Sequence, residues 1–352
     1  MFSATVEQQE LVAKISAVHE KLRKSRKKVE VEGRDEEEWK CIWKEHTLDE
    51  TTLKTYAEAM AQLATKIWEP RNTLLGGQEL TNNELQPHPQ LKCRLDWVHH
   101  KCTHFFSSPS RKLRLLDVGS CYNPFKKFDS CYDITALDLC PAPGHEHHVH
   151  RCDFLSISIQ GKNIHDDDHH VLSLPPNHFD IVVFSFFLEY LPHAGQRVES
   201  CKRAHSLLKP GGLLFILRPD SHSVTPTGNS ILVKRLKVGA GFLHFKRIYF
   251  EKLQHLWCMG FVKLSQEQGE EYCKSARFIR DLKKVNQKMD IACSQQNLDS
   301  LFCIAQDFKE VEIVKNSGAG EDVELVPSPM RSIVNADVKQ FQELPYFLDD
   351  ES

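Results

Sequence analysis

The sequence predicts an α/β protein in which a mostly parallel sheet follows a smaller N-terminal helical domain. From residue 113 onward, short apolar runs alternate with polar or helix-patterned stretches, which is typical of a parallel sheet. Residues before position 75 repeat at helical spacing instead. Two of the apolar runs end in polar residues near Gly119 and Asp138. We therefore expect a Rossmann-type sheet with a ligand crevice at the carboxyl ends of its strands.

Length and composition limit the class of protein. The 352 residues allow one large domain and a smaller one, and 41% apolar residues are enough for a sizeable core. A net charge of −3 gives no general basic field, which argues against nucleic acid as a partner. No apolar stretch is long enough to insert into a membrane, and the charged N-terminus lacks a signal-peptide pattern. A cytoplasmic protein with reduced cysteines is expected.

Two helices are predicted within an N-terminal helical domain that comprises residues 1–75. The first carries one apolar stripe, formed by Leu11, Ile15, Val18 and Leu22. The second is predicted to begin at a capping box of Thr47 and Glu50 and carries a similar stripe of Leu53, Tyr56, Met60, Leu63 and Ile67. We expect the two stripes to pack together or onto the main domain.

A linker and the approach to the main domain are predicted for residues 76–110, because prolines and glycines between positions 70 and 89 break the helical period. The main domain is placed at 111–310. Its strands are expected at 115–118, 134–139, 181–186, 213–217 and 261–264. A helix is expected at 197–208, ended by a turn at 209–212.

The last part of the chain is predicted to be less regular. The apolar run 301–304 is expected to add an antiparallel edge strand, with 266–300 as a polar, partly helical insertion before it. Residues 311–352 are expected to form an acidic, disordered tail, since eight acidic residues face two basic ones from Gly318 onward.

Polar residues that follow the predicted strands indicate a nucleoside pocket. Asp138 lies 19 residues beyond Gly119, the distance at which a second strand presents a carboxylate to ribose hydroxyls. The Gly-x-Gly-x-x-Gly pattern is absent after Gly119, so no pyrophosphate cradle for a nicotinamide cofactor is expected. S-adenosylmethionine fits better, because it needs only a close backbone approach at Gly119 and an acid for the ribose.

Three further residues fall in the order that such a pocket requires. Asp153 is placed to accept from an adenine amino group, Phe154 to lie against the base, and Ser185 to border the crevice after the fourth strand. Taken singly, each residue is more commonly a cap, a turn former or a core residue. Their order along the chain favours the pocket.

Several motifs carry a family resemblance: Leu-Leu-Asp-Val-Gly-Ser-Cys-Tyr-Asn-Pro-Phe at 115–125, Cys-Asp-Phe-Leu at 152–155 and Val-Phe-Ser at 183–185. Ile-Trp-Lys-Glu-His at 42–46, Arg-Leu-Asp-Trp at 94–97 and Pro-Asp-Ser at 219–221 add to it. Over most of residues 10–310 the chain resembles the SAMTOR family, the S-adenosylmethionine sensors upstream of mTOR complex 1, which in turn resembles 25S rRNA adenine-N1 methyltransferases. The stretch Lys209 to Gly212 and the shorter acidic tail depart from the vertebrate members.

The resemblance implies a class I methyltransferase-like domain that binds S-adenosylmethionine, and S-adenosylhomocysteine is kept as a second candidate ligand. It implies association with the GATOR and KICSTOR complexes, which restrains mTOR complex 1 when ligand is scarce, and recruitment to the lysosomal surface through those partners. It also places residues in the pocket: Gly119, Asp138, Asp153, Phe154 and Ser185 line it, and Arg94 reaches the ligand from the helical side. A guanidinium group suits the methionine carboxylate because it is a planar fork of donors.

Catalysis is left open by the sequence. The Asn/Asp-Pro-Pro-aromatic motif of exocyclic-amine methyltransferases is missing, and the equivalent stretch reads Ser-Phe-Phe-Leu-Glu-Tyr at 185–190. Positioning alone can support methyl transfer, so an active methyltransferase is kept as the alternative function. Glu189 and Tyr190 are interpreted as helix surface residues, and no catalytic residue is assigned.

Two other patterns are given ordinary structural interpretations. Residues 21–28 contain six Lys or Arg, which would suit RNA, but a solvated helix face balanced by downstream glutamates is favoured. The histidines at 145–150 and 165–170 lack Cys-x-x-Cys partners, so they are interpreted as polar loop residues and no metal site is predicted.

Overall fold

The computed structural model describes residues 5–31, 36–68, 93–107, 109–161, 164–165, 170–221, 224–253, 256–287, 297–308, 311–317 and 320–326. Most of the predicted linker, and the chain beyond residue 326, lie outside these ranges. Three N-terminal helices, α1 Val6–Val31, α2 Glu36–Leu48 and α3 Glu50–Leu63, are followed by a π-helical turn at Ala64–Trp68.

The main sheet has seven strands in the order β3-β2-β1-β7-β8-β10-β9. Neighbours from β3 to β8 are parallel, and β10 runs antiparallel to both β8 and β9. The strands are β1 Leu113–Val118, β2 Tyr132–Asp138, β3 His150–Arg151, β7 Phe179–Ser185, β8 Leu208–Pro219, β9 Phe245–Leu253 and β10 Leu256–Lys263. The expected class I methyltransferase-like sheet is thereby confirmed.

The remaining elements surround this sheet. A small sheet is formed by β4 Ser158–Ile159, β5 Ile164–His165 and β6 Val171–Leu174. The helices of the main domain are α4 Arg94–Phe106, α5 Phe187–Tyr190, α6 Ala194–Leu207, α7 Pro226–Phe242, α8 Gln266–Lys274 and α9 Ala276–Gln287. Short 3-10 turns occur at Pro124–Phe128, Asp299–Phe302 and Ala305–Phe308.

Both faces of the central strands are buried, because successive side chains of a strand point to opposite faces. Leu116, Val182 and Ile216 belong to the core that α6 and α7 cover. Leu115, Val183 and Phe215 belong to a second core, which α4 covers with the fully buried Trp97. The near-continuous apolar runs in the sequence are therefore explained by burial on two sides.

The predicted stripes of the N-terminal helices do pack together. Ile15 of α1 and Leu63 of α3 are fully buried in one cluster, with Met60 and Ile67 packed against it. The predicted capping box is wrong, because residue 47 still lies inside α2, a helix that the sequence analysis did not predict. Asp49 caps α3 instead, with its carboxylate accepting from the Thr52 backbone N–H at 3.1 Å.

Helix α1 is tied to the main domain through one buried carboxylate. Arg26 Nη1 donates to Asp307 Oδ1 at 2.7 Å, and Arg197 donates to both oxygens of the same carboxylate at 2.7 and 2.8 Å. Arg23 and Lys27 are also buried, at 8% exposure each. The interpretation of residues 21–28 as a wholly solvated face is therefore wrong for these three positions.

Four sequence-based predictions about elements are corrected. The run 301–304 is not an edge strand, because Asp299–Phe302 is a 3-10 turn that inserts Leu301 and Phe302 into the core. The antiparallel edge of the main sheet is β9, which was not predicted. Residues 266–300 therefore do not separate two strands of the main sheet. The predicted turn at 209–212 is a bulge within β8, where the pairing with β7 shifts register and Gly211 has φ of 75°. Residues 311–326 form a hairpin of β11 Val311–Ser317 and β12 Gly320–Val326, where disorder was expected.

The hairpin has a physical explanation in the sequence. Charged residues are interspersed there with Val, Ile and Leu, and β-branched residues favour strands even where the composition is acidic. Net charge alone therefore predicted disorder wrongly for this segment.

Candidate functional site

A cavity lies where β1, β2 and β7 end, and two helices of the N-terminal domain form its opposite wall. It contains about 780 Å³ of empty space, counting its open mouth. Five of the six predicted site residues line it: Gly119, Asp138, Asp153, Phe154 and Ser185. The helical wall consists of Trp43 from α2 and of Leu53, Tyr56, Ala57 and Met60 from α3.

Gly119 forms the tight turn that ends β1. Its φ is 74°, and its backbone N–H and that of Ser120 both donate to the Leu137 carbonyl at 2.9 Å. A Cβ at this position would lie 3.1 Å from Cδ2 of Phe187, on a backbone conformation that favours glycine. The turn therefore requires glycine, and it lies in the wall of the cavity.

Asp138, at the end of β2, is a carboxylate of the cavity wall that two backbone N–H groups hold in place. Its Oδ2 accepts from the Cys121 backbone N–H at 2.8 Å, and its Oδ1 accepts from the Cys140 backbone N–H at 3.0 Å. Each oxygen keeps a further lone pair, so both can accept from a vicinal diol. Burial raises the pKa of Asp138 to about 6.

A second buried carboxylate stands behind the Gly119 turn. Asp117 of β1 accepts from the Ser120 hydroxyl at 2.6 Å and is 1% exposed. Burial raises the pKa of this group to about 7. Asp117 therefore stabilises the turn and does not line the cavity.

Asp153 joins the two walls of the cavity. Its Oδ2 accepts from the indole N–H of Trp43 at 3.2 Å, and its Oδ1 accepts from the Leu155 backbone N–H at 3.0 Å. Burial raises the pKa of this carboxyl. Phe154 borders the cavity from the core side, with its ring 5.9 Å from that of Phe187.

Arg94 reaches the cavity through Ser185. Its Nε donates to the Ser185 hydroxyl at 3.1 Å, and its guanidinium lies 5.4 Å from the centre of the Phe186 ring. Arg94 is 6% exposed and begins helix α4 of the main domain. Ser185 lines the cavity and Arg94 lies behind it, so a direct contact of Arg94 with a ligand stays a prediction.

An aromatic cluster that the sequence analysis missed closes the cavity between the domains. The Tyr56 and Tyr190 rings are 4.9 Å apart, and both residues line the cavity. The Tyr190 hydroxyl contacts His46 Nε2 at 2.5 Å, and the Tyr56 hydroxyl contacts His19 Nε2 at 3.2 Å. Burial lowers the pKa of His46 to about 4, so this histidine is neutral near pH 7.

Residues 189 and 190 were interpreted as helix surface residues, and this is wrong. Glu189 is 8% exposed and is bonded to Arg218, and Tyr190 faces the helical domain. A four-residue helix shows no clear amphipathic period, so the pattern could not reveal these contacts. Trp43 was not predicted to line the pocket, although an aromatic residue with an N–H group is suited to a pocket wall.

The cavity combines apolar and aromatic walls with carboxylates at the ends of two adjacent strands. This arrangement fits a nucleoside: Asp138 for a diol, Asp153 for an exocyclic amine, and Gly119 for close approach of the ligand to the backbone. Fold and site together define a Rossmann-type, class I methyltransferase-like protein with a nucleoside-sized cavity.

Known proteins place the chain more narrowly. The family model described as "25S rRNA (adenine(2142)-N(1))-methyltransferase, Bmt2" matches residues 82–225. The "S-adenosylmethionine sensor upstream of mTORC1" of Danio rerio is 32% identical over 293 residues, which span 74% of this chain and 71% of that protein. Its namesake from Xenopus tropicalis is 30% identical over 297 residues, with the same two shares. The chain therefore belongs to the family of S-adenosylmethionine sensors upstream of mTORC1, and the resemblance that the motifs predict is confirmed.

Solved structures include similar proteins of low identity. The N-methyltransferase NodS from Bradyrhizobium japonicum, in complex with S-adenosyl-L-homocysteine, is 16% identical with a TM-score of 0.34, covering 51% of this chain and 94% of that one. A TehB-like methyltransferase from Corynebacterium glutamicum is 14% identical with a TM-score of 0.35, covering 58% and 98%. Within the described residues, no helix combines the length and apolar character needed to cross a membrane.

Proposed function

We propose that this protein binds S-adenosylmethionine in the cavity between its helical domain and its sheet, and that it reports the level of this ligand to mTOR complex 1. In this proposal the empty protein associates with the GATOR and KICSTOR complexes at the lysosomal surface and inhibits signalling, and ligand binding releases it. The names of its relatives support the ligand and the pathway. The observation that carries the proposal is the partly buried Asp138, which two backbone N–H groups hold in a cavity walled by both domains.

The proposal assigns a role to each residue of the site. Asp138 accepts from the ribose hydroxyls, Asp153 from the adenine amino group, and Phe154 borders the base. Gly119 and Ser185 border the methionine part, with Arg94 placed behind Ser185 to approach its carboxylate. S-adenosylhomocysteine has the same ribose, adenine and carboxylate, so it is expected to bind as well.

Because both domains contribute to the cavity wall, a bound ligand can control how the two domains are arranged. Trp43, Tyr56 and Met60 belong to the helices, whereas Asp138 and Asp153 belong to the sheet domain. A ligand that contacts both sides favours the arrangement in which they are close. A hundredfold preference for that arrangement corresponds to about 2.7 kcal/mol, which is a usual size for coupling between sites.

Calorimetric titration with S-adenosylmethionine tests the ligand. Loss of the charged hydrogen bonds in Asp138→Ala should weaken binding by about ten- to a hundredfold, or about 1.5–3 kcal/mol. The exposed Asp133→Ala, on the same strand, is the matched control and should bind normally. If folded wild type shows no saturable binding, the proposed ligand is wrong.

Co-purification with GATOR and KICSTOR subunits tests the partners. Wild type should bring them down in ligand-free lysate and lose them when S-adenosylmethionine is added, whereas Asp138→Ala should keep them. Release of the Asp138→Ala partners by ligand would overturn the mechanism while leaving ligand binding intact.

An active methyltransferase is the second candidate, because the matched family model is described as a methyltransferase of rRNA adenine. Mass spectrometry of the titrated samples distinguishes the two. A sensor returns the ligand unchanged, whereas an enzyme given its acceptor converts S-adenosylmethionine into S-adenosylhomocysteine.

A further inference from the structure

A second cavity lies at the carboxyl end of β8, and helix α5 contributes to both cavities. Phe187 and Tyr190 line the first cavity, and Glu189 lines the second. The second cavity contains about 400 Å³ of empty space, counting its mouth. Neither the proposed function nor the names of the relatives uses this space.

Two buried side chains of opposite charge face this cavity with open hydrogen-bonding positions. Glu189 is 8% exposed and Arg218 is 6% exposed, and Arg218 Nε donates to Glu189 Oε1 at 2.7 Å. Glu189 Oε2 is buried and has no hydrogen-bond partner among the described residues. Within the same part of the chain, Arg218 bonds only through Nε, which leaves its two terminal amino groups for a ligand.

An unmet buried carboxylate oxygen needs a physical explanation. Leaving such an atom without a partner is unfavourable, and a buried ion pair stabilises the fold only when its remaining hydrogen-bonding positions are satisfied. A ligand that donates to Glu189 and accepts from Arg218 would satisfy both groups. The pair therefore calls for a ligand with a donor and an acceptor next to each other.

Most of the other wall residues are apolar and held in place, and Ser221, Asn229 and Gln306 add polar groups. Leu232, Val233 and Ile304 are buried and line the cavity. The indole of Trp257 donates to Asp220 Oδ1 at 2.8 Å, and its ring stacks on Phe250 with centroids 5.6 Å apart. An apolar group in the ligand would thus meet a preformed surface, which lowers the entropic cost of binding.

We propose that this cavity is a second ligand site, which takes a small apolar α-amino acid. The carboxylate of the amino acid accepts from the terminal amino groups of Arg218, its ammonium donates to Glu189 Oε2, and its side chain lies against Leu232, Val233 and Trp257. A ligand with only one of the two charges would leave either the terminal amino groups of Arg218 or Glu189 Oε2 without a hydrogen bond. The zwitterion is therefore the preferred class.

The test is calorimetric titration of the full chain, without S-adenosylmethionine, with L-leucine, L-valine and L-phenylalanine in turn. At least one should bind with a dissociation constant below about 1 mM. The same titration with 4-methylpentanoate and 3-methylbutylamine, which carry one leucine charge each, should show binding at least about tenfold weaker. Because the first ligand is absent, the result does not depend on whether the first cavity binds it.

Variants assign any binding to this cavity. Glu189→Gln should weaken it by at least about tenfold, whereas the exposed Glu267→Gln, the same change on α8, should not alter it. If Glu189→Gln fails to fold, Gln306→Phe decides, since it fills the cavity from a partly exposed position and keeps the ion pair. The proposal is overturned if no amino acid binds, or if binding survives both Glu189→Gln and Gln306→Phe.

Discussion

The proposed contact of Asp138 with the ribose hydroxyls requires the ionised carboxylate, so affinity for S-adenosylmethionine is expected to fall as the pH is lowered through about 6. Burial raises the pKa of this group in the empty protein to about 6. Below that pH the ligand must first displace a proton, and each further unit costs about 1.4 kcal/mol, or about tenfold in affinity. Between pH 8 and pH 5 the dissociation constant should therefore rise by about tenfold.

Calorimetric titrations at several pH values across this range measure the effect. Asp138→Asn should bind more weakly at pH 8 and lose the part of the pH dependence that comes from residue 138. Asp153, whose pKa burial also raises, keeps its own contribution. The control is Asp117→Asn: Asp117 has a pKa of about 7 but does not line the cavity, so this variant should keep the slope of wild type. His46 does not interfere, because burial lowers its pKa to about 4.

Two outcomes would refute this reasoning. If the dissociation constant of wild type is the same at pH 5 and pH 8, the ligand does not depend on an ionised Asp138. If Asp138→Asn keeps the slope of wild type, another group titrates and the role of Asp138 in ribose binding is wrong.

Three further predictions concern the framework around the cavity. Asp307→Asn should lower the free energy of unfolding in urea by about 3–5 kcal/mol, because it leaves Arg197 buried without its counter-charge, whereas loss of less than about 1 kcal/mol would contradict this. Burial opposes ionisation of Asp307, but Arg197 and Arg26 hold the pKa of its carboxyl below the usual range. The ionised carboxylate therefore stabilises the fold above about pH 4, and this stabilisation should be lost as acid protonates Asp307. Urea titrations in which Asp307→Asn is destabilised by the same amount at low pH as at neutral pH would contradict this pH dependence. Trp43→Phe should weaken S-adenosylmethionine binding by about fivefold through loss of the N–H bond to Asp153, and calorimetry showing unchanged affinity would remove Trp43 from the site.

Much of the cavity wall formed by the sheet could be predicted, because the carboxyl ends of parallel strands lie at the same edge of a sheet. Once β1, β2 and β7 are placed in one sheet, the residues that follow them must meet at one edge, which brings Gly119, Asp138 and Ser185 together. The apolar runs are unmistakable because both faces of these strands are buried. Strand β9 escaped prediction because it is the edge strand and carries charges at Lys246, Arg247, Glu251 and Lys252.

The helical wall could not be predicted in the same way. Tyr56 lies on an apolar stripe, and that pattern is identical whether an aromatic residue faces a core or a cavity. Its contact with Tyr190 joins positions far apart in the chain, and no local rule specifies which helix face covers which strand end. The tie from Arg26 to Asp307 was hidden for the same reason, inside a run of basic residues that resembled a solvated face.

The buried Asp138 also has a consequence for the amount of protein in a cell. Its raised pKa means that ionising this carboxyl near neutral pH costs more free energy in the empty, folded chain than in the unfolded chain. The empty protein is therefore more easily unfolded than the protein with ligand bound. A ligand that binds only the folded chain shifts this balance, and chains that unfold less often are degraded less often. Under the proposed function, cellular abundance should therefore rise and fall with the ligand, and signalling measured during starvation would reflect how many copies survive as well as how many are empty.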